Sequence, residues 1–177
     1  VSKSPIADDF EVILETTHHG PIFTRPTLYL EIGSTEMEWG RQDVSHLWAR
    51  VISDVLGLNE KPLMGEWPGH GEVMVGFGGG HYAPRHTAVI NQGGFWMGHI
   101  IANYALIFDE LKDGESPSGP WKHAVEEAVK STRLGFPGGA VFAHLDRKSF
   151  KGWQRTAIIQ LLDEIGVEVR RGRDMFR

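Results

Sequence analysis

The fold is decided by residues 72–86, which read Glu72-Val73-Met74-Val75-Gly76-Phe77-Gly78-Gly79-Gly80-His81-Tyr82-Ala83-Pro84-Arg85-His86. A short apolar run that ends at glycines is typical of a buried strand, here predicted over 72–77. Glycines lack a Cβ atom, so the loop after this strand can bring backbone N–H groups and His81 close to a ligand. The loop is a poor match to a dinucleotide-binding fingerprint, because Pro84 restricts its preceding residue to extended geometry where a helix would have to start.

The rest of the chain alternates between strand-like and helix-like patterns. Further strands are predicted over 10–15, 27–32, 140–143 and 167–169. Helices are predicted over 41–56, 100–111, 121–132 and 152–165, and an exposed loop over 113–120. Helices between strands act as crossovers, so the pattern indicates an α/β fold with an open, mostly parallel sheet. The direction of the first strand relative to the second stays open, because no helix links them.

Composition narrows the class of protein. The 177 residues fit one domain, and the absence of cysteine excludes disulfides, thiolate metal ligands and a cysteine nucleophile. No apolar run is long enough to span a membrane, and the first residues do not resemble a secretory signal, so a soluble intracellular protein is expected. The net charge of −5 argues against nonspecific coating of a polyanion, although a local basic patch can still steer a nucleic acid.

A second histidine-containing segment is Thr17-His18-His19-Gly20-Pro21. In extended backbone, His18 and His19 point to opposite sides, so one can act as a metal ligand or general base while the other orients it. The alternative for either residue is a structural hydrogen bond. Both histidine segments follow a predicted strand, and ligands of open α/β sheets bind at the carboxyl ends of strands. If the strands over 10–15 and 72–77 are parallel, the two loops converge on one crevice.

Three further residues are candidates for this crevice. Glu31 lies in an apolar run where a carboxylate needs a cation, a metal or several donors, unless it faces solvent on an edge strand. Ser34 follows it and can cap the next segment or touch substrate, while His99 precedes the helix predicted from residue 100. His99 is equally consistent with a capping or core role. His46, His70, His123 and His144 are predicted to be surface or structural residues.

Together these segments resemble the archaeal and plant type of D-aminoacyl-tRNA deacylase, a zinc-containing family. The resemblance lies in Thr17-His18-His19-Gly20-Pro21, Glu31-Ile32-Gly33-Ser34 with Glu38-Trp39, Gly78-Gly79-Gly80-His81-Tyr82-Ala83-Pro84-Arg85, Gly98-His99 with Tyr104, and the tail from Leu161 to Val169. These motifs occur in the family's order and approximate spacing. They span nearly the whole chain.

The resemblance implies a three-layer α/β/α fold similar to peptidyl-tRNA hydrolases and nucleoside phosphorylases. It also implies hydrolysis of the ester between a D-amino acid and the 3′ end of tRNA, in the cytoplasm, with zinc as cofactor. His18, His19, His81 and Arg85 are the expected catalytic residues, and Gly78, Gly79, Gly80, Tyr82 and Ser34 the expected substrate-binding residues. The expected zinc ligands are His19, Glu31, His81 and His99, with His18 and His86 as alternatives.

Other interpretations remain open at this stage. A mechanism without catalytic zinc would depend on backbone donors and substrate positioning. A metal-dependent amidase or peptidase on small substrates, or a noncatalytic binder of the tRNA terminus, would also fit the residues. Family members are longer at the N-terminus, so residues 1–177 are expected to form a single deacylase domain that lacks an N-terminal portion. The oligomeric state stays undetermined, with a monomer preferred.

Overall fold

The computed structural model describes residues 4–17, 27, 29–33, 35–59 and 65–175. Contacts divide the chain into two compact units: Val1–Val12 with Arg25–Pro68, and Ile13–Thr24 with Gly69–Arg177. We call them the first and the second unit and describe each by itself. The prediction of a single domain stays a prediction. Among the described residues, no helix is long and apolar enough to cross a membrane.

The first unit contains two helices, α1 (Glu36–Trp39) and α2 (Gln42–Val55). The predicted helix over 41–56 is therefore confirmed. Just before α2, the Arg41 guanidinium pairs with Asp9 at 2.7 Å and with Asp43 at 2.6 Å. Val44 is the one residue of α2 that is buried.

The second unit is built on a parallel sheet of four strands. They are β1 (Gly71–Phe77), β2 (Trp96–Ile101), β3 (Gly139–Leu145) and β4 (Glu168–Arg170), in the spatial order β2-β1-β3-β4. The helices of this unit are α3 (Pro84–Ile90), α4 (Trp121–Gly135), α5 (Gly152–Glu164) and α6 (Gly172–Met175). The predicted strands over 72–77, 140–143 and 167–169, and the helices over 121–132 and 152–165, are confirmed to within a few residues.

Side chains alternate between the two faces of β1 and so form two cores. Val75 and Phe77 pack against α4 and α5, whereas Met74 packs with Val89 of α3 and Phe142 of β3. Helices therefore cover both faces of the sheet. This arrangement confirms the predicted α/β class, and every pair of these strands is parallel.

Several sequence-based elements are wrong. The helix predicted over 100–111 is instead the end of β2, followed by a 3₁₀ turn at Asn103–Ala105, because Ile100 and Ile101 pair with Gly76 and Phe77 in the sheet. The strand predicted over 10–15 forms a single antiparallel bridge, between Glu15 and Tyr82. The described residues of 27–32 are not in a strand.

The sequence analysis also missed α3, because Pro84 was interpreted as an obstacle to a helix. Proline is favoured in the first turn of a helix, where its missing N–H group has no intrahelical partner. Pro84 occupies that position in α3. The helix starts four residues after Gly80, which leaves His81 in the preceding loop.

Candidate functional site

The site lies where the direction of the chain changes across the sheet. The chain passes from β1 through α3 to β2, and then returns through α4 to β3 on the other side of β1. The loops after β1 and β3 therefore leave neighbouring strand ends in opposite directions, and a crevice between two such loops is the usual ligand position in open α/β sheets. The residues around this crevice belong to the second unit.

Backbone hydrogen bonds fix the glycine loop after β1. Gly78 and Gly79 have φ angles of +99° and +92°, a conformation that favours glycine. The Gly78 N–H donates to the Ile101 carbonyl at 2.8 Å, and the Gly79 N–H donates to Ser149 Oγ at 2.8 Å. These two N–H groups hold the loop against β2 and the β3 loop, which leaves the Gly80 N–H as a donor for a ligand. No acceptor for it is found among the described residues.

His81 lies in this loop beside a carboxylate. Its Nε2 atom is 3.3 Å from Glu15 Oε1, and its side chain is 47% exposed. The segment that carries Glu15 is fixed to the loop, because the Thr16 N–H donates to the His81 carbonyl at 3.0 Å and Thr16 Oγ1 donates to Gly80 O at 3.0 Å. Tyr82 lies edge-on to the His81 ring, with centroids 4.7 Å apart. The result is an exposed imidazole oriented by a carboxylate and an aromatic ring.

Arg85, in the first turn of α3, forms an ion pair with Asp146 at the end of β3. Its Nε atom is 3.0 Å from Asp146 Oδ1, and the Arg85 side chain is 46% exposed. The same carboxylate oxygen accepts the Lys148 N–H at 3.1 Å. The described residues offer no acceptor to the two terminal nitrogens of Arg85, so these remain available for an anionic group.

His86 and His144 form a buried pair beneath the crevice. His86 is fully buried and His144 is 6% exposed. His86 Nε2 is 3.2 Å from the Gly78 carbonyl, and the Nδ1 atoms of the two rings are 2.8 Å apart. A carbonyl only accepts, so His86 Nε2 carries the proton and, in the neutral ring, Nδ1 accepts from His144 Nδ1–H. The hydrogen bonds thus assign one tautomer to each ring, and the lone pair of His144 lies on Nε2.

Both imidazoles of this pair are neutral near pH 7. Burial lowers the pKa of His86, and burial together with the neighbouring His86 lowers the pKa of His144 to about 4. The charge of Asp146 opposes this shift at both rings, and the charge of Arg85 adds to it at His144. Gly76 of β1 leaves the space for the His86 ring, because a Cβ atom added there would lie 3.0 Å from two of its atoms.

His99 lies in strand β2. The sequence analysis placed it at the start of a helix, and that prediction is wrong. Its N–H donates to Thr132 Oγ1 of α4 at 3.3 Å, and burial lowers the pKa of its half-buried side chain. The neighbouring Gly98 lets α4 approach the strand closely, because an added Cβ atom would collide with Thr132. Helix α4 therefore packs closely on β2 beside His99.

The structure brings together one part of the predicted site. Gly78, Gly79, Gly80, His81, Tyr82 and Arg85 share the loop after β1 and the first turn of α3. Glu31 is an exposed residue of the first unit. His18, His19 and Ser34 lie outside the described residues, so their predicted roles stay predictions.

Four residues of the site were missed by the sequence analysis: Glu15, His144, Asp146 and Ser149. His144 was assigned to the surface or to a structural role, and its burial excludes the first of these. The sequence could have indicated three of them, because His144, Asp146 and Ser149 follow the predicted strand over 140–143 just as His81 follows the one over 72–77. The order of the strands, which makes these two ends neighbours, is not visible in the sequence.

The described residues do not by themselves make up a zinc site. Zinc in proteins takes three or four nitrogen, oxygen or sulfur ligands. No three His, Asp or Glu side chains within the described part of the chain are arranged to share a metal ion. His86, one of the alternatives, uses both ring nitrogens in hydrogen bonds.

Fold and site together define a class: a doubly wound α/β protein with a glycine loop, an exposed imidazole and an arginine at its switch point. Comparisons with known proteins are more specific. The family model described as D-aminoacyl-tRNA deacylase matches residues 2–170. The chain therefore belongs to the D-aminoacyl-tRNA deacylase family, which confirms the resemblance found in the sequence.

Curated relatives come from a plant and from archaea. The chain is 40% identical to a D-aminoacyl-tRNA deacylase of Arabidopsis thaliana, over 96% of this chain and 56% of the relative. It is 36% identical to the Methanosarcina mazei enzyme of that name, over 90% of this chain and 45% of the relative. The chain thus spans about half the length of these relatives.

A solved structure shares the fold. A crystal structure described as a conserved protein of unknown function matches 96% of this chain and 51% of its own chain. The TM-score is 0.70 and the sequence identity 28%.

Proposed function

We propose that this chain hydrolyses the ester bond that joins a D-amino acid to the 3′ end of tRNA. The observation that carries the proposal is His81 beside Glu15, on a glycine loop at the switch point of a chain that belongs to the deacylase family. The names of the plant and archaeal relatives support the same reaction. A cytoplasmic location follows from this substrate and stays a prediction.

Four polar groups at the crevice have roles in this reaction: Glu15, His81, the Gly80 N–H and Arg85. Glu15 orients His81 through Nε2, so the other ring nitrogen takes a proton from water as the water oxygen bonds to the ester carbonyl carbon. The Gly80 N–H and the terminal nitrogens of Arg85 stabilise the negative charge on the carbonyl oxygen. The bond to the ribose oxygen then breaks, and His81 returns the proton to that oxygen. His18 and His19, which directly follow Thr17, are further candidates for proton transfer.

Zinc belongs to this proposal as a cofactor that would polarise the ester carbonyl when bound. Of its expected ligands, Glu31, His81 and His99 lie within the described residues and His19 lies outside them, and His81 would hold zinc only in place of its role as general base. No catalytic step above depends on it.

The test is release of a labelled D-amino acid from tRNA, measured for the parent chain and for His81→Gln and Glu15→Gln. Removal of a general base lowers kcat by roughly 10²- to 10⁴-fold, so His81→Gln is expected to fall in this range and Glu15→Gln to lose less. His123→Gln serves as the control, because His123 is an exposed histidine of α4.

Other outcomes would identify the alternatives. An unchanged kcat in His81→Gln would contradict the role of His81, and equal turnover of L-aminoacyl-tRNA would contradict the stereochemistry. Turnover of D-amino-acid amides without any effect of tRNA would indicate an amidase. Binding of tRNA without hydrolysis would indicate a noncatalytic binder.

A further inference from the structure

The segment after β3 concentrates positive charge in an acidic chain. Residues 147–155 read Arg147-Lys148-Ser149-Phe150-Lys151-Gly152-Trp153-Gln154-Arg155, with four basic residues and no acidic one, whereas the whole chain carries a net charge of −5. We call residues 147–155 the basic segment. Its charge has no use in the ester hydrolysis described above.

Hydrogen bonds hold the backbone of the basic segment against the glycine loop. Arg147–Ser149 form a 3₁₀ turn, and Ser149 Oγ accepts the Gly79 N–H at 2.8 Å. The Arg155 guanidinium donates to the carbonyls of Arg147 at 3.0 Å and Phe150 at 2.9 Å, which closes the segment on itself. The side chains of Arg147, Lys148 and Lys151 are left exposed. The exposed basic side chains therefore extend from a hydrogen-bonded turn beside the glycine loop.

A recess adjoins the basic segment. It has a volume of about 430 Å³ and is lined by Phe108, Asp109, Glu110, Leu111, Lys151, Trp153 and Gln154. Phe108 stacks on Trp121 with centroids 4.7 Å apart and meets Trp153 edge-on at 5.2 Å. These contacts hold the half-buried Phe108 and Trp153 rings in place at the wall of the recess.

The recess and the basic segment differ in chemistry, so they suit different parts of a nucleotide. Aromatic walls stack nucleobases whatever their sequence, and basic side chains contact phosphates. The carboxylates of Asp109 and Glu110 repel phosphate inside the recess, but they accept hydrogen bonds from exocyclic amines of the kind found on cytosine and adenine. A base therefore fits the recess, and its phosphates fit the exposed side chains of Arg147 and Lys148. Only an unpaired base can enter in this way.

We propose that the recess and the basic segment bind the single-stranded 3′ end of tRNA, with an unpaired base in the recess and phosphates on the segment. This inference rests on the proposed function for its choice of RNA. It assigns to Arg147, Lys148 and Trp153 a role in substrate binding. The ester would then enter the crevice across Ser149 and Gly79.

Affinity for two forms of uncharged tRNA tests the recess: intact tRNA and tRNA without its unpaired 3′ nucleotides. Loss of one stacked base costs roughly 5- to 150-fold in affinity, and the shortened tRNA also loses its phosphate contacts, so the parent chain should bind it more weakly by at least such a factor. Trp153→Leu should bind intact tRNA more weakly by a factor in this range. Shortening should then weaken the binding of Trp153→Leu less than that of the parent, because only the phosphate contacts remain to be lost. Trp153→Phe, which keeps a ring, should retain most of the difference and so exclude misfolding as the cause.

The dependence of affinity on salt tests the basic segment. Loss of one phosphate contact to a single strand reduces the slope of log K against log salt by about 0.7. Lys148→Ala should show this reduction. Lys130→Ala should not, because it makes the same change of charge on α4, where Lys130 pairs with Glu127 at 2.9 Å.

The outcomes separate this inference from the proposed function. The inference would be overturned if Trp153→Leu bound both tRNAs like the parent, or if its affinity for both fell by the same factor. This holds even if deacylation is observed. Equal salt slopes for Lys148→Ala and the parent would overturn the phosphate contact. A parent chain that releases no D-amino acid but shows the expected binding pattern would contradict the deacylase and leave the RNA site standing.

Discussion

At the scale of residues, the buried His86–His144 pair defines the floor of the crevice. Its hydrogen bonds run from the Gly78 carbonyl through His86 to His144 and fix both tautomers. The glycine loop is thus held from below by an imidazole, and from the side by Ser149. Small changes at these positions are expected to move the loop, because interiors are closely packed.

The two glycines at positions 76 and 80 are expected to respond differently to alanine. A Cβ atom on Gly76 would lie 3.0 Å from the His86 ring, whereas one on Gly80 would have no atom within 4 Å. Gly76→Ala should therefore lower the free energy of unfolding by about 1–3 kcal/mol, as overpacking of a core does. Gly80→Ala should change it by less than about 1 kcal/mol.

Urea denaturation of both variants measures this difference. Equal stabilities for Gly76→Ala and Gly80→Ala would show that the His86 ring does not occupy the space above Gly76.

The histidine pair also predicts a dependence of stability on pH. Both pKa values lie below the ordinary 6.5 in the folded chain, that of His144 at about 4, so the unfolded chain binds more protons once the pH falls below about 6.5. The free energy of unfolding contributed by the pair is complete above that pH. It should decrease by roughly 1–3 kcal/mol as the pH falls to 4.

Denaturation at several pH values checks this expectation. His144→Gln should flatten the dependence between pH 6.5 and 4, whereas His123→Gln, which alters an exposed ring, should leave it as in the parent. A parent chain whose stability is constant over this range would contradict the burial of neutral imidazoles.

At the scale of elements, the sequence predicts best where one pattern is unbroken. Strands β1 and β3 are buried on both faces, so they read as apolar runs, and α2, α4 and α5 show the helical period. The helix predicted over 100–111 is wrong because Ile100 and Ile101 also fit the apolar face of a helix. Only the pairing of Ile100 and Ile101 with β1 makes them a strand, and that pairing depends on residues far away in the sequence.

The same limit applies to the site. His81 and Arg85 were found because histidine, arginine and glycine follow directly after a strand. Glu15 and Asp146 were not, because each acts through a partner from another element, at 3.3 Å and 3.0 Å. Which strand ends become neighbours is decided by the order β2-β1-β3-β4. A sequence pattern predicts the ends of strands but not their order.

At the scale of the whole molecule, the prediction concerns the metal content of the chain. The chain spans about half the length of its curated relatives, and His18 and His19 lie outside the described residues. The zinc expected from the family resemblance would draw on these histidines. Its presence can be measured on the chain as it stands.

Chelation is expected to remove zinc and to slow release of the D-amino acid, because zinc would no longer polarise the ester carbonyl, and added zinc should restore both. Metal content by atomic spectroscopy provides a measurement independent of activity. His81→Gln should bind less zinc than the parent if His81 is a ligand, and His123→Gln should bind the same amount. Full turnover by a chain shown to be metal-free would eliminate zinc as a catalytic cofactor.

The close fit between Gly76 and the His86 ring has a consequence for evolution. Positions 76, 86 and 144 share one small volume, so a mutation at one of them changes which residues are tolerated at the other two. In lineages that replace either imidazole with a smaller side chain, position 76 no longer needs to be glycine and can accept larger residues. An alignment of the family should therefore show these three positions being kept together or lost together.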